Sequence, residues 1–354
     1  MIKKLIILSP GFPKDENDST CLPSQQSLVK NINSTFPDLE IIILSFQYPF
    51  TKKNYKWNNN TVVPFNGQNK SKLARRILWI NVWKRLKIIY KKEKAIGIFS
   101  FWLDECAFIG NKFSNQFNVP HYCWILGQDA KAGNKYVRYF NKDGNNLIAL
   151  SQFIISEFEK NYTFKPKYLI PLGIDLSDSK NILRREIDIL GVGSLIPLKQ
   201  YDLFVEIVAA LKLKLSNINT IICGKGPEEK NIKNLIHKLD VSKNILLAGE
   251  KPHSIILNAM AETKIFLHTS SYEGFGAVCI EALQAGAHVI SFCNPMRTQI
   301  EHWHIVDTKE QMAEKALELL SKPFLEHNSI APYTMKETAR AIVQLFNYKD
   351  CAMK

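Results

Sequence analysis

The sequence predicts an α/β fold made of two Rossmann-like domains, each a doubly wound parallel sheet, that face a central cleft. The chain has 354 residues, and at roughly 150 residues per domain this length favours two domains. Short and almost continuously apolar runs alternate with stretches of helical periodicity. Such runs are typical of parallel strands that helices cover on both faces. Each half of the chain has enough of them for its own sheet.

The predicted strands share short apolar stretches rich in β-branched and aromatic residues. In the first half they are residues 4–8, 40–46, 96–102, 121–126 and 146–150. In the second half they are residues 187–192, 219–223, 244–248, 264–268 and 288–292. A segment with Pro and Gly at residues 168–175 separates the two sets, so we predict domains at residues 1–172 and 173–335.

The composition, 46% hydrophobic and 22% charged, excludes a disordered, collagen-like or coiled-coil chain. The seven cysteines include no C-x-x-C pair, so we predict reduced thiols rather than a zinc ribbon or a dithiol. Only four consecutive apolar residues precede Pro10, too few for a signal peptide or a membrane span. We therefore expect a cytoplasmic protein.

Positive charge is concentrated in the first half of the chain. Residues 1–172 carry 25 Lys and Arg against 12 Asp and Glu, a net charge of +13, whereas residues 173–354 carry 21 of each and are neutral. Much of the excess lies in the segment Lys70–Lys94, which has helical periodicity. We expect a helix that packs on the sheet and exposes a basic face; the alternative is a helix on an anionic membrane. No recognition motif accompanies the charge, which argues against nucleic acid as a partner.

The apolar residues near helical spacing in this segment predict the face that packs on the sheet. They are Leu73, Ile77, Ile80, Trp83 and Tyr90, with Leu86 and Ile89 close to the same stripe.

Residues 271–286 follow a predicted strand, pass through a glycine-rich turn and open a helix. A helix N-terminus after a strand favours an anion such as phosphate, because backbone N–H groups and the helix dipole point at the ligand. Gly274 and Gly276 remove the Cβ atoms that would block close approach of the backbone.

Two carboxylates flank this turn. If the helix begins near Gly276, Glu281 lies in its second turn and Glu273 lies on the preceding loop. One carboxylate then reaches a reacting sugar, and the other accepts hydrogen bonds from a ribose diol. The alternative leaves Glu273 beside a helix cap and Glu281 as an ordinary surface residue.

Two more loops follow predicted strands of the second half. In residues 191–200, Gly193 permits close approach and Lys199 offers a point charge to a phosphate. The alternative is a turn with an exposed lysine. Residues 223–227 form either a nucleotide-facing loop or a turn ahead of a helix.

Taken in order, these motifs resemble those of a family 4 glycosyltransferase with the GT-B fold. The resemblance covers most of the chain and is strongest over residues 169–292. Four segments carry it: the linker 170–175, the phosphate loop 192–199, the Gly-Pro turn 224–227 and the E-x7-E motif 273–281.

The resemblance implies retaining transfer of a sugar from a nucleotide diphosphate sugar to a hydroxyl of a glycan or lipid-linked acceptor, without metal or other cofactor. It implies that Glu273 lies near the sugar, that Glu281 holds the ribose hydroxyls and that Lys199 stabilises the leaving diphosphate. A front-face mechanism needs no protein nucleophile; in the alternative, a double displacement, no nucleophile can be assigned. The residues implied in donor binding are Gly11, Gly193, Ser194, Lys199, Gly274, Phe275, Gly276 and Glu281.

The chain departs from the family's pattern at two positions. Ser194 stands where the family usually has Arg, so one cation for the leaving group is missing or comes from elsewhere. In the first domain, where many relatives carry a His-Gly loop, the loop after residues 121–126 carries Asp129. Asp129 either orients a sugar or acceptor hydroxyl or caps the next helix. Gly11 is the one glycine of the first loop, where it admits the donor diphosphate.

In this fold, residues 336–354 are expected to form a terminal helix that packs back on the first domain, which binds the acceptor. The basic first half suits an acceptor on an anionic membrane and a peripheral position at its inner face, in polysaccharide or glycolipid synthesis. The alternatives are a GT-B enzyme of another class, such as a nucleotide-sugar epimerase or a phosphorylase, and a catalytically silent scaffold that binds a sugar or lipid.

Overall fold

The computed structural model describes residues 3–175 and 185–348. The chain divides into two compact units, Met1–Asp175 with Tyr333–Lys354 as unit 1 and Leu176–Pro332 as unit 2. These divisions lie within a few residues of the predicted domain boundaries. Residues 349–354 of the expected terminal segment lie outside the described residues.

Unit 1 contains an eight-stranded sheet within the described residues, in the order β3-β4-β2-β1-β5-β6-β7-β8. All neighbours pair in parallel except β3 and β4, which form an antiparallel hairpin. The strands are β1 (Lys3–Gly11), β2 (Leu39–Tyr48), β3 (Tyr55–Trp57), β4 (Asn60–Pro64), β5 (Lys94–Ser100), β6 (His121–Ile125), β7 (Leu147–Ala149) and β8 (Tyr168–Leu169).

The first four helices of the chain belong to unit 1 and alternate with its strands. They are α1 (Pro23–Thr35), α2 (Lys72–Lys92), α3 (Glu105–Phe117) and α4 (Gln152–Tyr162). Side chains define where two of these helices begin: Asp104 accepts a hydrogen bond from the Cys106 N–H at the start of α3, and Ser151 accepts one from Ile154 at the start of α4.

The packing face of α2 matches the predicted stripe only in part: Leu86 and Ile89 are buried as predicted, but the prediction was wrong for most of the stripe. The buried residues of α2 are Leu78, Val82, Leu86 and Ile89. Leu73, Ile77, Ile80 and Tyr90 of the predicted stripe are exposed, whereas Trp83 is half-buried against the aromatic rings of α3. Both sets of residues have helical spacing, and the pattern alone does not say which of two apolar faces meets the sheet.

Unit 2 contains a six-stranded parallel sheet within the described residues, in the order β11-β10-β9-β12-β13-β14. This is the 3-2-1-4-5-6 strand order of a Rossmann domain, and the order in which strands are added to the sheet reverses between β9 and β12. The strands are β9 (Ile187–Val192), β10 (Thr220–Cys223), β11 (Ile245–Gly249), β12 (Thr263–His268), β13 (His288–Ser291) and β14 (Trp303–Ile305). The helices are α5 (Tyr201–Lys212), α6 (Glu229–Lys238), α7 (His253–Ala261), α8 (Ala277–Gln284) and α9 (Lys309–Leu320).

The last described helix, α10 (Met335–Gln344), belongs to unit 1 and packs against α1. The segment 170–175 contacts the start of α10 through backbone atoms. A Cβ added at Gly173 would lie 2.0 Å from the carbonyl carbon of Thr334, and the Gly173 N–H donates to the Thr338 hydroxyl at 2.9 Å. Glycine is therefore required in this part of the sequence motif 170–175.

Candidate active site

Two loops of unit 2 meet at the topological switch point of its sheet, between β9 and β12. One follows β9 and the other follows β12, the neighbouring strands at which ligands bind in doubly wound sheets. The Thr269 hydroxyl donates to the Lys199 carbonyl at 2.7 Å, and the Ser271 N–H donates to the Leu198 carbonyl at 3.1 Å. These bonds hold the loop with Lys199 beside the loop with Glu273.

A third loop, after β10, supports the first one. Its Lys225 carbonyl accepts from the Leu195 N–H at 3.0 Å. A Cβ added at Gly224 would lie 1.8 Å from the Gly193 carbonyl oxygen, so only glycine lets the two backbones approach this closely. The Gly-Pro turn 224–227 therefore has a definite structural role in holding the loop that carries Lys199.

Lys199, Glu273 and His268 form one connected cluster. Lys199 Nζ lies 2.8 Å from Glu273 Oε2, and His268 Nε2 lies 3.0 Å from the same oxygen. The Lys199 and Glu273 side chains are each 20% exposed, whereas His268 at the end of β12 is 4% exposed. Two partners thus fix the Glu273 carboxylate: His268 at the end of the preceding strand β12, and Lys199 on the loop after β9.

The protonation of this cluster follows from its surroundings. Burial alone raises the pKa of the Glu273 carboxyl, but the hydrogen bond from His268 and the positive charge of Lys199 outweigh burial and lower that pKa to about 2. Burial also lowers the pKa of His268, against the opposing effect of Glu273. At neutral pH the cluster therefore holds an ionised carboxylate, and a neutral His268 donates to it from Nε2.

Glu281, at the other end of the E-x7-E motif, has a different partner. It lies in the second turn of α8, where its Oε1 is 3.0 Å from His253 Nε2 at the start of α7. The Glu281 side chain is 19% exposed and His253 is 34% exposed. The two glutamates of the motif thus belong to separate hydrogen-bonded pairs.

The helix N-terminus between them has the geometry expected from the sequence. Gly276 precedes α8 with φ +80°, a conformation that favours glycine. An added Cβ there would lie 3.5 Å from Glu273 Cγ and 3.4 Å from Trp303. Gly274 and Phe275 are buried in the turn, and Ser194 is exposed on the loop after β9.

The other two sequence-predicted site residues, Gly11 and Asp129, lie in unit 1. Asp129 is 8% exposed, and its Oδ2 accepts from the backbone N–H groups of Leu126 and Leu103 at 3.0 and 3.2 Å. Asp129 therefore closes its own loop and ties it to the loop after β5. An added Cβ at Gly11 would meet Tyr48 Cβ at 3.6 Å, an ordinary contact.

The pKa of Asp129 moves in the opposite direction to that of Glu273. Burial raises it to about 6, although the two backbone N–H groups oppose the shift. Asp104, at the start of α3, is affected in the same way: burial and the charges of Asp129 and Glu105 raise its pKa to about 8, against the hydrogen bond from Cys106. Unit 1 thus holds a pair of acidic groups that repel each other at the ends of β5 and β6.

Sequence reasoning missed the two histidines that orient the glutamates. His268 lies at the end of a predicted strand, where the local pattern indicates packing, and His253 lies outside all of the motifs. His253 and Glu281 come together because β11 and β12 lie on opposite sides of β9, an arrangement that only the sheet order reveals. Within residues 3–175 and 185–348, no group of three or more His, Cys, Asp or Glu side chains is placed to hold a metal ion.

The sequence of this chain is similar to those of known glycosyltransferases. Residues 175–339 match the sequence model of the family described as "Glycosyl transferases group 1". The chain is 23% identical over 344 residues to the uncharacterized glycosyltransferase MJ1178 of Methanocaldococcus jannaschii, covering 92% of this chain and 91% of that protein. It is 24% identical over 177 residues to the phosphatidylinositol N-acetylglucosaminyltransferase GPI3 subunit of Saccharomyces cerevisiae, covering 46% of this chain and 39% of that protein.

The solved structures give the same fold. TarM aligns with a TM-score of 0.74 at 14% identity, covering 98% of this chain and 99% of that one. A mutant of S. aureus TarM in complex with fondaparinux, alpha-GlcNAc-glycerol and UDP aligns with a TM-score of 0.60 at 18% identity, covering 77% and 58%. Together these matches support a glycosyltransferase with the GT-B fold, and they confirm the predicted pair of Rossmann-like domains.

Proposed function

We propose that this chain is a retaining, metal-independent glycosyltransferase of family 4. It moves a sugar from a nucleotide diphosphate sugar to a hydroxyl of a glycan or lipid-linked acceptor, in the synthesis of a cell-surface polysaccharide or glycolipid. The observation that carries the proposal is the ion pair of Lys199 with Glu273, 2.8 Å apart on the two loops at the switch point of the sheet. The names of relatives agree with it, since one complex of TarM contains UDP and GPI3 is named for phosphatidylinositol.

Each charged group has one role in this proposal. The Lys199 ammonium faces the leaving diphosphate and neutralises the charge that develops on it, with the N-terminus of α8 as a second positive pole. Glu281 accepts hydrogen bonds from the ribose hydroxyls while His253 fixes its orientation. Glu273 stays ionised at neutral pH, since its pKa lies at about 2. Its negative charge stabilises the positive charge that develops on the anomeric carbon of the donor sugar.

The reaction balances without a protein nucleophile. The bond between the anomeric carbon and the phosphate oxygen breaks, and the acceptor oxygen bonds to the same face of that carbon. The acceptor proton passes to the leaving phosphate oxygen, and the nucleotide diphosphate departs. The protein contributes orientation and charge neutralisation, which together account for most of the acceleration in such transfers.

The donor site is tested by thermal stabilisation of the full chain with UDP, GDP, ADP, TDP and CMP. A ligand at about 100 times its Kd adds about 2.7 kcal/mol to the free energy of unfolding. We expect one diphosphate to raise the Tm of the wild-type protein. Lys199→Met and Glu281→Ala should lose most of this shift, whereas Lys230→Met, an exposed lysine of α6, should keep it.

No shift with any nucleotide for a folded wild-type protein would contradict the donor site, and equal shifts in all four proteins would contradict the assigned residues. Once the donor is known, the stereochemistry is tested by NMR of the first product formed. An anomeric configuration equal to that of the donor supports retention, and the opposite configuration excludes it.

A further inference from the structure

Helix α2 presents a second apolar face to solvent, opposite the face that it buries. Leu73, Ile77, Ile80 and Ile88 are 69%, 55%, 54% and 45% exposed. They recur at spacings of three, four and eight residues, so they lie along one side of the helix. Single exposed apolar residues are common, but four aligned along one side of a helix are not scattered, and aligned exposed apolar residues mark interaction surfaces.

Basic side chains lie between these apolar residues on the same face. Lys84 follows Ile80 by four residues and Lys91 follows Lys84 by seven, while Arg76 and Lys87 border the stripe; all four are exposed. The whole of Lys72–Lys92 contains eight Lys and Arg residues and no Asp or Glu. At 1.5 Å per residue the helix is about 30 Å long, so this mixed face is extended, with positive charge at both ends and an apolar stretch between Arg76 and Lys84.

A groove beside the exposed face continues the same chemistry. It has a volume of about 980 Å³ and runs between α2 and α3. Its lining includes Trp79, Trp83 and Phe108, whereas Lys84 and Lys112 lie along it and are exposed, with Lys112 Nζ 5.0 Å from the centre of the Phe108 ring. Aromatic rings below and ammonium groups above match the layers of a lipid interface, where acyl chains lie beneath phosphate groups.

We propose that the exposed face of α2 and the adjoining groove are a docking surface for an anionic phospholipid bilayer. The four apolar side chains enter the boundary between headgroups and acyl chains, and the Lys and Arg side chains extend to the phosphates. Charge complementarity decides in favour of this occupant, because a second copy of the chain would bring the positive charges of the same face against each other. The proposal uses residues of unit 1 only and does not depend on the proposed function.

The test is sedimentation with vesicles of phosphatidylcholine alone and of phosphatidylcholine with phosphatidylglycerol at about two to one. We expect the full chain to sediment with the anionic vesicles and to stay in the supernatant with the neutral ones. Arg76→Gln, Lys84→Gln and Lys87→Gln combined should lower the partition coefficient about a hundredfold, roughly fivefold for each charge. Arg75 and Arg85 are kept, because Arg75 Nε lies 3.6 Å from Glu105 and Arg85 is half-buried.

A second variant tests the apolar part. Ile77→Ser with Ile80→Ser changes exposed side chains only, so the fold should persist and binding should fall at least tenfold. The matched control is Lys230→Gln with Lys233→Gln and Lys238→Gln, which removes the same charge from an exposed face of α6 and should leave binding unchanged.

Three results would overturn the proposal: equal binding to both vesicles, equal loss in the control and the α2 charge variant, or binding that is unaffected by the two serines. Light scattering after size-exclusion chromatography tests the other occupant. A dimer that dissociates when Ile77 and Ile80 become Ser, together with no vesicle binding, would assign the face to a second copy of the chain.

Discussion

Both units place a shielded carboxyl group after a parallel strand, but the two groups respond to their surroundings in opposite directions. In unit 2, Glu273 has Lys199 and His268 within 3.0 Å, and its pKa falls to about 2. In unit 1, Asp129 accepts hydrogen bonds from two backbone N–H groups, and burial raises its pKa to about 6 against their effect. Both are largely shielded from water, so the sign of each shift depends on whether the partners outweigh burial: they do at Glu273, and they do not at Asp129.

Glu273 and Asp129 are the two carboxylates that the sequence predicted to act on the sugar or acceptor, and their surroundings suit them to different roles. Glu273 is held ionised beside a cation, which is the state that its proposed role at the anomeric carbon needs. Asp129 ties its loop to the backbone at Leu103 and Leu126 and has the environment of a structural group. Both assignments remain predictions, and four experiments would break or sharpen the contrast.

The largest effect is expected from Lys199→Met. It removes the cation that faces the leaving group, and we expect kcat/KM to fall by about 10²–10³, as when one charge-stabilising donor is lost. Nucleotide released in the presence of acceptor measures it. Lys230→Met is the control and should retain full activity. A loss smaller than about threefold would remove Lys199 from the mechanism.

The second effect is on stability in acid. The pKa of Glu273 in the folded protein lies below its ordinary value of 4.5, so ionisation favours the folded state. This stability is present above pH 4.5 and is lost as the pH falls towards 2, by up to about 3 kcal/mol. Urea midpoints between pH 5 and pH 3 should fall more steeply for the wild type than for Glu273→Gln, and parallel curves would contradict the ion pair.

The third effect is on stability near neutral pH and comes from His288, a buried base whose pKa is shifted. It is 5% exposed, its Nε2 donates to the Glu326 carbonyl at 2.9 Å and its Nδ1 lies 3.1 Å from His304 Nε2. Burial lowers the pKa of His288 to about 4 from the ordinary 6.5. Stability is therefore present above pH 6.5 and lost as the pH falls through this window, by about 2 kcal/mol. His288→Gln should flatten the urea midpoints between pH 7 and pH 5; an unchanged slope would show that another group titrates there.

The smallest effect is expected at Asp129, whose pKa shifts in the opposite direction to that of Glu273. Because the folded pKa of Asp129 lies above its ordinary 3.8, its contribution is favourable below pH 3.8 and is lost as the pH rises through 6. Asp129→Asn keeps an oxygen acceptor for both N–H groups, and we expect a gain of about 1 kcal/mol at pH 8 that disappears near pH 4. Unchanged kcat supports the loop role, whereas a loss of kcat with stability intact returns Asp129 to the catalytic set.

The sequence predicted most of the fold because buried parallel strands are continuous apolar runs. All ten predicted strands overlap observed ones. The missed strands are short, and the hairpin of β3 and β4 turns through Asn58 and Asn59 at φ 43° and 66°. Asparagine tolerates this left-handed conformation and makes such turns, but the strands on either side are too short to give a clear apolar run.

The errors elsewhere came from information that is not local. In α2, apolar residues lie on two faces, so periodicity found the helix and two of its buried residues, Leu86 and Ile89, but assigned most of the stripe to the wrong face. In unit 2, the motifs located Lys199, Glu273 and Glu281, but their partners His268 and His253 depend on which strands are neighbours. Helices and strands follow from local pattern, whereas orientation and side-chain pairing follow from tertiary packing.

The most direct test of the donor site is calorimetric binding of the stabilising nucleoside diphosphate and of the corresponding free nucleoside. If Lys199 faces the diphosphate and Glu281 the ribose, Lys199→Met lowers affinity for the diphosphate at least tenfold and leaves that for the nucleoside unchanged, whereas Glu281→Ala weakens both. Equal affinities of the wild type and Lys199→Met for the diphosphate would contradict the account.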